Sequence, residues 1–153
     1  MKTTENKKGF SLIEVLLVIV IMATLLGIAS TYYSNSQVRA DISSQAANIV
    51  HYLRLAQSGA ASGLNDSDRG VHFDETGYTL FEGSIYDEDD LKNVRKELPE
   101  TMTISDINLN GGDDVVFSKS NGETDNYGTI TLSSAAIGRD IPIAINSIGT
   151  INY

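Results

Sequence analysis

Residues 10–29 read FSLIEVLLVIVIMATLLGIA, twenty positions in which Glu14 is the one charged side chain. A helix that is apolar on every side has no polar face to offer water and must be enclosed by something apolar. Twenty residues at 1.5 Å each reach about 30 Å, the thickness of a bilayer's hydrocarbon core. The sequence therefore predicts a transmembrane helix segment over residues 10–30. Lys7 and Lys8 directly precede it. By the positive-inside tendency they keep the start of the chain in the cytoplasm and send the residues beyond the span across the membrane. Tyr32 and Tyr33 come next, at the depth where amphipathic rings favour the outer interface.

Three explanations compete for this segment. A secretory signal peptide has basic residues, an apolar run and small residues before its cleavage site, which Gly27 and Ala29 before Ser30 would supply. The run here exceeds the usual ~7–15 residues of such a region, and it contains a carboxylate. An ordinary single-span anchor accounts for the length but gives no reason for Glu14. The third explanation takes the Gly9-Phe10 junction, the acid and the length together.

Gly9-Phe10-Ser11-Leu12-Ile13-Glu14, with Val15-Leu16-Leu17-Val18 after it, closely resembles the prepilin signature of type IV pilins and type II secretion pseudopilins. The resemblance implies a leader over residues 1–9, cleavage by a prepilin peptidase between Gly9 and Phe10, and N-methylation of the new Phe10 amine. It also implies an assembly role for Glu14, registering an incoming subunit against a neighbour's terminal amine. A charge inside a span costs roughly 2.5–3.5 kcal/mol on insertion scales and is usually paired. Glu14 lies four residues from Phe10, about 6 Å along a helix. A new ammonium at that depth, in the same chain or in a neighbour, would attract the carboxylate by about 4 kcal/mol at 4 Å and an effective dielectric near 20. The alternatives are a Glu14 that snorkels to the headgroups or is protonated.

Helical spacing continues past the apolar run. Val38, Ile42, Gln45, Ile49, Leu53, Ala56 and Ala60 recur at steps of three and four, with Val50 widening the stripe. This predicts an amphipathic helix over residues 31–62 that carries on into a head. No proline occurs before Pro99, so one helix can run from Phe10 to about Ser62, with Gly27 a weak point and Gly63 a stop signal. Beyond it, residues 63–153 form a β-rich globular head. Strands are expected at 70–73, 78–82, 94–98, 102–107, 115–118, 129–133, 141–145 and 148–152. Asp74-Glu75-Thr76-Gly77 and Ser147-Ile148-Gly149 read as hairpin connections, and Asn121-Gly122 as a longer loop. One long N-terminal helix and then a run of strands predict an α+β fold with antiparallel sheets packed on the helix.

This order resembles the H-type minor pseudopilins and related minor pilins. The segments that carry the likeness are Leu53 to Ser58, Val71-His72-Phe73 to Phe81, Val115-Val116-Phe117 with Asn121-Gly122, Gly128 to Leu132, and Ile145 to Tyr153. It implies a structural subunit of a type II secretion pseudopilus or type IV pilus, in the cytoplasmic membrane with its head outside. Its partners would be the peptidase, other pilins or pseudopilins, the inner-membrane assembly platform and membrane lipid. The chain lacks the proline that many major pilins carry in the apolar run. The rival functions are a DNA-uptake minor pilin of the same fold and a membrane-tethered binding module unrelated to filaments.

Nothing in the sequence points to an enzyme, a cofactor or a metal. His51 and His72 have no spaced partner, there is no cysteine, and no nucleophile elbow occurs around the serines. Asp87-Glu88-Asp89-Asp90 and the segment from Asn108 to Asp114 offer oxygen ligands of the kind calcium takes, but without EF-hand spacing they read as solvated loops. From residue 63 onward, 17 acidic side chains stand against 6 basic ones, a net of −11. Such a surface repels phosphate backbones. The protein should therefore show no salt-sensitive DNA binding near physiological ionic strength; micromolar affinity weakening steeply with salt in a gel-shift series would contradict this.

Overall fold

The computed structural model describes residues 9–153, apart from the side chains of residues 28–35. The expected leader up to residue 8, with Lys7 and Lys8, and the rings of Tyr32 and Tyr33 lie outside the described residues. Helix α1 spans Leu12–Ala61 and passes through Gly27 without interruption. Eight strands come after it: β1 Arg69–Asp74, β2 Gly77–Glu82, β3 Val94–Glu97, β4 Thr103–Leu109, β5 Asp114–Phe117, β6 Gly128–Ser134, β7 Arg139–Ile145 and β8 Ile151–Asn152. All ladders are antiparallel. The first sheet has the order β3-β2-β1-β5 and the second β4-β6-β7-β8. The α+β class is as expected, and each expected strand has a counterpart. The last shortens, because Ile148 to Thr150 form the hairpin turn instead.

The chain divides into two compact units, residues 1–37 and 38–153. In the first, the apolar side chains of α1 are exposed on every side, from Phe10 at 83% through Leu16 at 52% to Leu26 at 70%. No helix among the described residues is long and apolar enough to cross a membrane. The apolar stretch with described side chains ends at Gly27, and residues 12–27 cover only about 24 Å of helix axis.

The second unit has its own core. Ile42, Ala46, Ile49, Leu53, Ala56 and Ala60 on α1 are completely buried, and Val50 nearly so. They share one cluster with Val71, Phe73, Tyr78, Val115 and Phe117 of the first sheet and Ile104, Ile130, Leu132, Ile141, Ile143, Ile145 and Ile151 of the second. The expected stripe is buried from Ile42 to Ala60 with one addition, Ala46, while Val38 at its start is only half-buried. Gln45, its polar interruption, is only half-buried. Alternation in β6 and β7 follows the pleat, with every second side chain buried. Burial, with the neighbouring Tyr52 adding to it, pushes the Tyr78 phenol up to about 12, so the ring stays neutral at the edge-on contact it makes with Tyr52.

Turn chemistry closes the elements. α1 ends as Gly63 enters the left-handed region at φ 67° and its N–H bonds the Ala60 carbonyl. In the β1-β2 hairpin the Asp74 carboxylate accepts from the Thr76 N–H and hydroxyl. In the β7-β8 hairpin the Asn146 side-chain oxygen accepts from the Thr150 N–H, and Gly149 takes φ 79°. A Cβ at Gly149 would strike the Gln57 side chain, which donates to the Gly122 carbonyl at 3.1 Å. Gln57 thus ties the 118–124 loop and the last hairpin to the helix end. Leu53 and Leu55 are two residues apart but lie on opposite faces, at 0% and 44% exposure. Leu53→Ala should destabilise the protein by about 2–5 kcal/mol, whereas Leu55→Ala should shift a thermal melt little.

Candidate functional site: the amino-terminal junction and first helical turn

Gly9 and Phe10 sit outside regular structure just before the helix, and both are exposed. The Ser11 carbonyl accepts from the N–H groups of Glu14 at 3.0 Å and Val15 at 3.2 Å, which makes Ser11 the residue that starts α1. Glu14 is then the acid of the first turn. Ser11-Leu12-Ile13-Glu14 has the Ser-x-x-Glu spacing of a capping box, a local signal in the sequence that marks the helix start more closely than the apolar run does. A carboxylate there is favoured by the unsatisfied N–H groups and by the positive end of the helix dipole. Glu14 therefore has a local electrostatic role whatever else it meets.

Phe10, Glu14, Val15, Val18 and Ile19 line a shallow apolar groove of about 280 Å³ along one face of the helix. The structure thus brings two of the sequence-derived site residues, Phe10 and Glu14, to one groove. Gly9 adjoins them by sequence. A Cβ at Gly9 would meet nothing within 4 Å, and its φ lies outside the left-handed region. No packing or backbone need inside the chain calls for glycine at this position. Thr24 bonds back to the carbonyls of Val20 and Ile21, which leaves Glu14 as the charged residue that still needs a partner in an apolar surrounding.

The histidines part company. His51 is exposed on α1 against the edge of Tyr52. His72 lies on the outward face of the first sheet, its Nδ1 2.6 Å from an Asp114 carboxylate oxygen and its ring stacked on Tyr86 at 4.0 Å. Across the same face Arg95 grips Asp74 with both terminal nitrogens, at 2.6 and 3.2 Å, and also donates to the Thr76 hydroxyl. The Arg95 guanidinium holds the Asp74 carboxyl well below the usual carboxylate range, with help from Thr76 and against partial burial. Among the described residues no three His, Cys, Asp or Glu side chains are placed to hold a metal ion. The acidic run caps its own turns: Asp87 accepts from the Asp89 N–H and Asp90 from the Lys92 N–H.

One family description, the prokaryotic N-terminal methylation motif, matches residues 5–30. The match contains Gly9, Phe10 and Glu14 and covers 26 of the 153 residues, so it likens the start of the chain to the prepilin-type amino terminus. No curated protein and no solved structure matches the chain. The architecture of one helix and two antiparallel sheets is consistent with a pilin-like fold.

The Asp74 interaction fixes a pH response. A carboxyl whose folded pKa is depressed adds stability above its unfolded value near 4, and loses that stability as pH falls further. Asp74→Asn should lower the melting temperature at pH 7, and the gap to the unsubstituted protein should narrow between about pH 4 and pH 2. A gap independent of pH would show that the ion pair is not its source.

Proposed function

We propose that the chain is a structural minor pseudopilin or pilin, whose work is to be inserted, processed and assembled. The observation that carries this is the methylation motif at residues 5–30, set on a helix whose apolar side chains are exposed all round. Such a surface demands an apolar surrounding from outside the chain. On this reading the surrounding is first the cytoplasmic membrane, crossed once by residues 10–30 with the start of the chain in the cytoplasm, and then other subunits of a pseudopilus or pilus. The filament is a type II secretion pseudopilus or a type IV pilus, which share this layout, and its work is to support protein secretion; the alternative is a minor pilin of a DNA-uptake pilus.

A prepilin peptidase cuts after Gly9, and the freedom around that position is what an enzyme reading the extended chain needs. The new Phe10 amine then sits near the positive end of the helix dipole, where a second positive charge is unfavourable. Methylation leaves that charge in place. Glu14, one turn on, offsets it within the chain or in a neighbour, and the Phe10-Glu14 groove gives the partner an apolar seat.

Intact mass of membrane-extracted protein should correspond to a chain beginning at methylated Phe10. A chain beginning at Ser30 would instead establish a cleaved secretory signal. Glu14→Gln should be inserted and processed normally, since it makes the span less costly and leaves Gly9 untouched. Its share in sheared or cross-linked filaments should fall by about tenfold or more, as expected if a charge-assisted contact worth ~1.5–3 kcal/mol is removed. Normal incorporation would overturn the pairing role.

A further inference from the structure

The segment between β2 and β3, residues 83–93, folds back over the outward face of the first sheet. Its anchor is Tyr86, which stacks on His72 and tilts against Phe81 at 5.4 Å. Phe81 in turn fills the space that a side chain at Gly70 would occupy. Beside this anchor lies a cavity of about 620 Å³, well separated in sequence from the amino-terminal junction. Register builds its floor: His72, Thr79 and Arg95 are direct neighbours on β1, β2 and β3, and Asp114 on β5 flanks His72.

Two oxygens in its lining have no partner. Thr79 is 2% exposed and its hydroxyl makes no hydrogen bond. The Asn93 amide donates its nitrogen to the Asp87 carbonyl at 2.7 Å, but its side-chain oxygen accepts nothing. Leaving such groups buried and unpaired costs about 1–3 kcal/mol each, and both residues line this one cavity. Glu88, at the rim, forms no ion pair or hydrogen bond among the described residues. The cation of the lining, Arg95, is already committed to Asp74 and Thr76. What remains open is a set of acceptors around a carboxylate. An anion would find no free positive charge here, and a ligand rich in acceptors would leave Asn93 unsatisfied.

We propose that this cavity binds an organic cation, an alkylammonium or guanidinium group, with the charge at Glu88, its N–H groups on the oxygens of Asn93 and Thr79, and its stem along the Tyr86 ring. The cation reaches the site either as a Lys or Arg side chain of a partner protein or as a free polyamine. The same chemistry serves both sources. The site lies wholly in the second unit and does not depend on how the amino terminus is processed.

The test uses the full chain in detergent micelles, with N-acetyl-arginine amide and N-acetyl-lysine amide as side-chain probes. Spermidine represents the free polyamine, and N-acetyl-glutamine amide is the uncharged control. Calorimetry and the ring resonances of Tyr86 and His72 report binding. The cationic probes should saturate at about millimolar concentration, as expected for ligands of this size, and the glutamine probe should not. Glu88→Gln should weaken binding about 10- to 100-fold, the equivalent of a lost charge-assisted hydrogen bond. Thr79→Val should weaken it about 2- to 10-fold while raising the melting temperature, because the unpaired hydroxyl is gone. Saturation by spermidine alone identifies a free polyamine, and saturation by the amino-acid amides identifies a protein side chain. Absence of saturation by any cation, equal response to the glutamine probe, or unchanged affinity in both variants would overturn the assignment.

Discussion

The burial of one stripe of α1 holds the second unit together. Six side chains from Ile42 to Ala60 have no exposed surface, and strands of both sheets meet them in one continuous cluster. Each sheet has only four strands, and a small sheet cannot enclose its own apolar face. The helix supplies the surface that both need. Its small residues, Ala46, Ala56 and Ala60, let the backbone of α1 come close, while Ile42, Ile49 and Leu53 fill volume. The loops are then secured at the helix end by Gln57, whose amide reaches the 118–124 loop and stands against Gly149 of the last hairpin.

The first unit presents the opposite condition. There the same helix carries apolar side chains over its whole circumference, and none of those up to Gly27 is covered within the unit. The energy that would come from removing that surface from water, about 25 cal/mol per Å², is available only to a partner or a bilayer. Thr24 is satisfied by its own backbone, so the charge that the apolar run brings into whatever encloses it is Glu14. The first turn explains why an acid is tolerated at that place and not deeper: the unpaired N–H groups and the helix dipole both favour it. The family match lies over this segment and stops at residue 30.

The outward face of the first sheet holds polar chemistry away from the core. Strand alternation sends His72, Asp74, Thr79 and Arg95 to the side opposite Val71, Phe73 and Tyr78. The bidentate Arg95-Asp74 pair bridges β3 and β1 across the hairpin, on an edge strand that is exposed at every position. Charged residues on such an edge oppose pairing with another chain. The pair stiffens the face and leaves the neighbouring acceptors free.

The sequence by itself determined the elements whose cause is local or periodic. Steps of three and four place the buried stripe, the absence of proline lets the helix run unbroken, and Gly63, Asp74 to Gly77 and Asn146 to Gly149 mark the ends because their backbone and side-chain chemistry is contained within a few residues. The Gly9-Phe10-Glu14 motif is legible for the same reason. Ala46 escaped the stripe because a methyl group gives little periodic signal on its own. Strand register was decided only in three dimensions, since period-2 alternation says which face a residue takes but not which residue it meets. His72 is 42 positions from Asp114 and Arg95 is 21 from Asp74. Neither pair has any local signature. They exist because packing against one helix fixes how the strands slide past one another, and only that tertiary constraint turns a lone histidine and a scatter of acids into a built face.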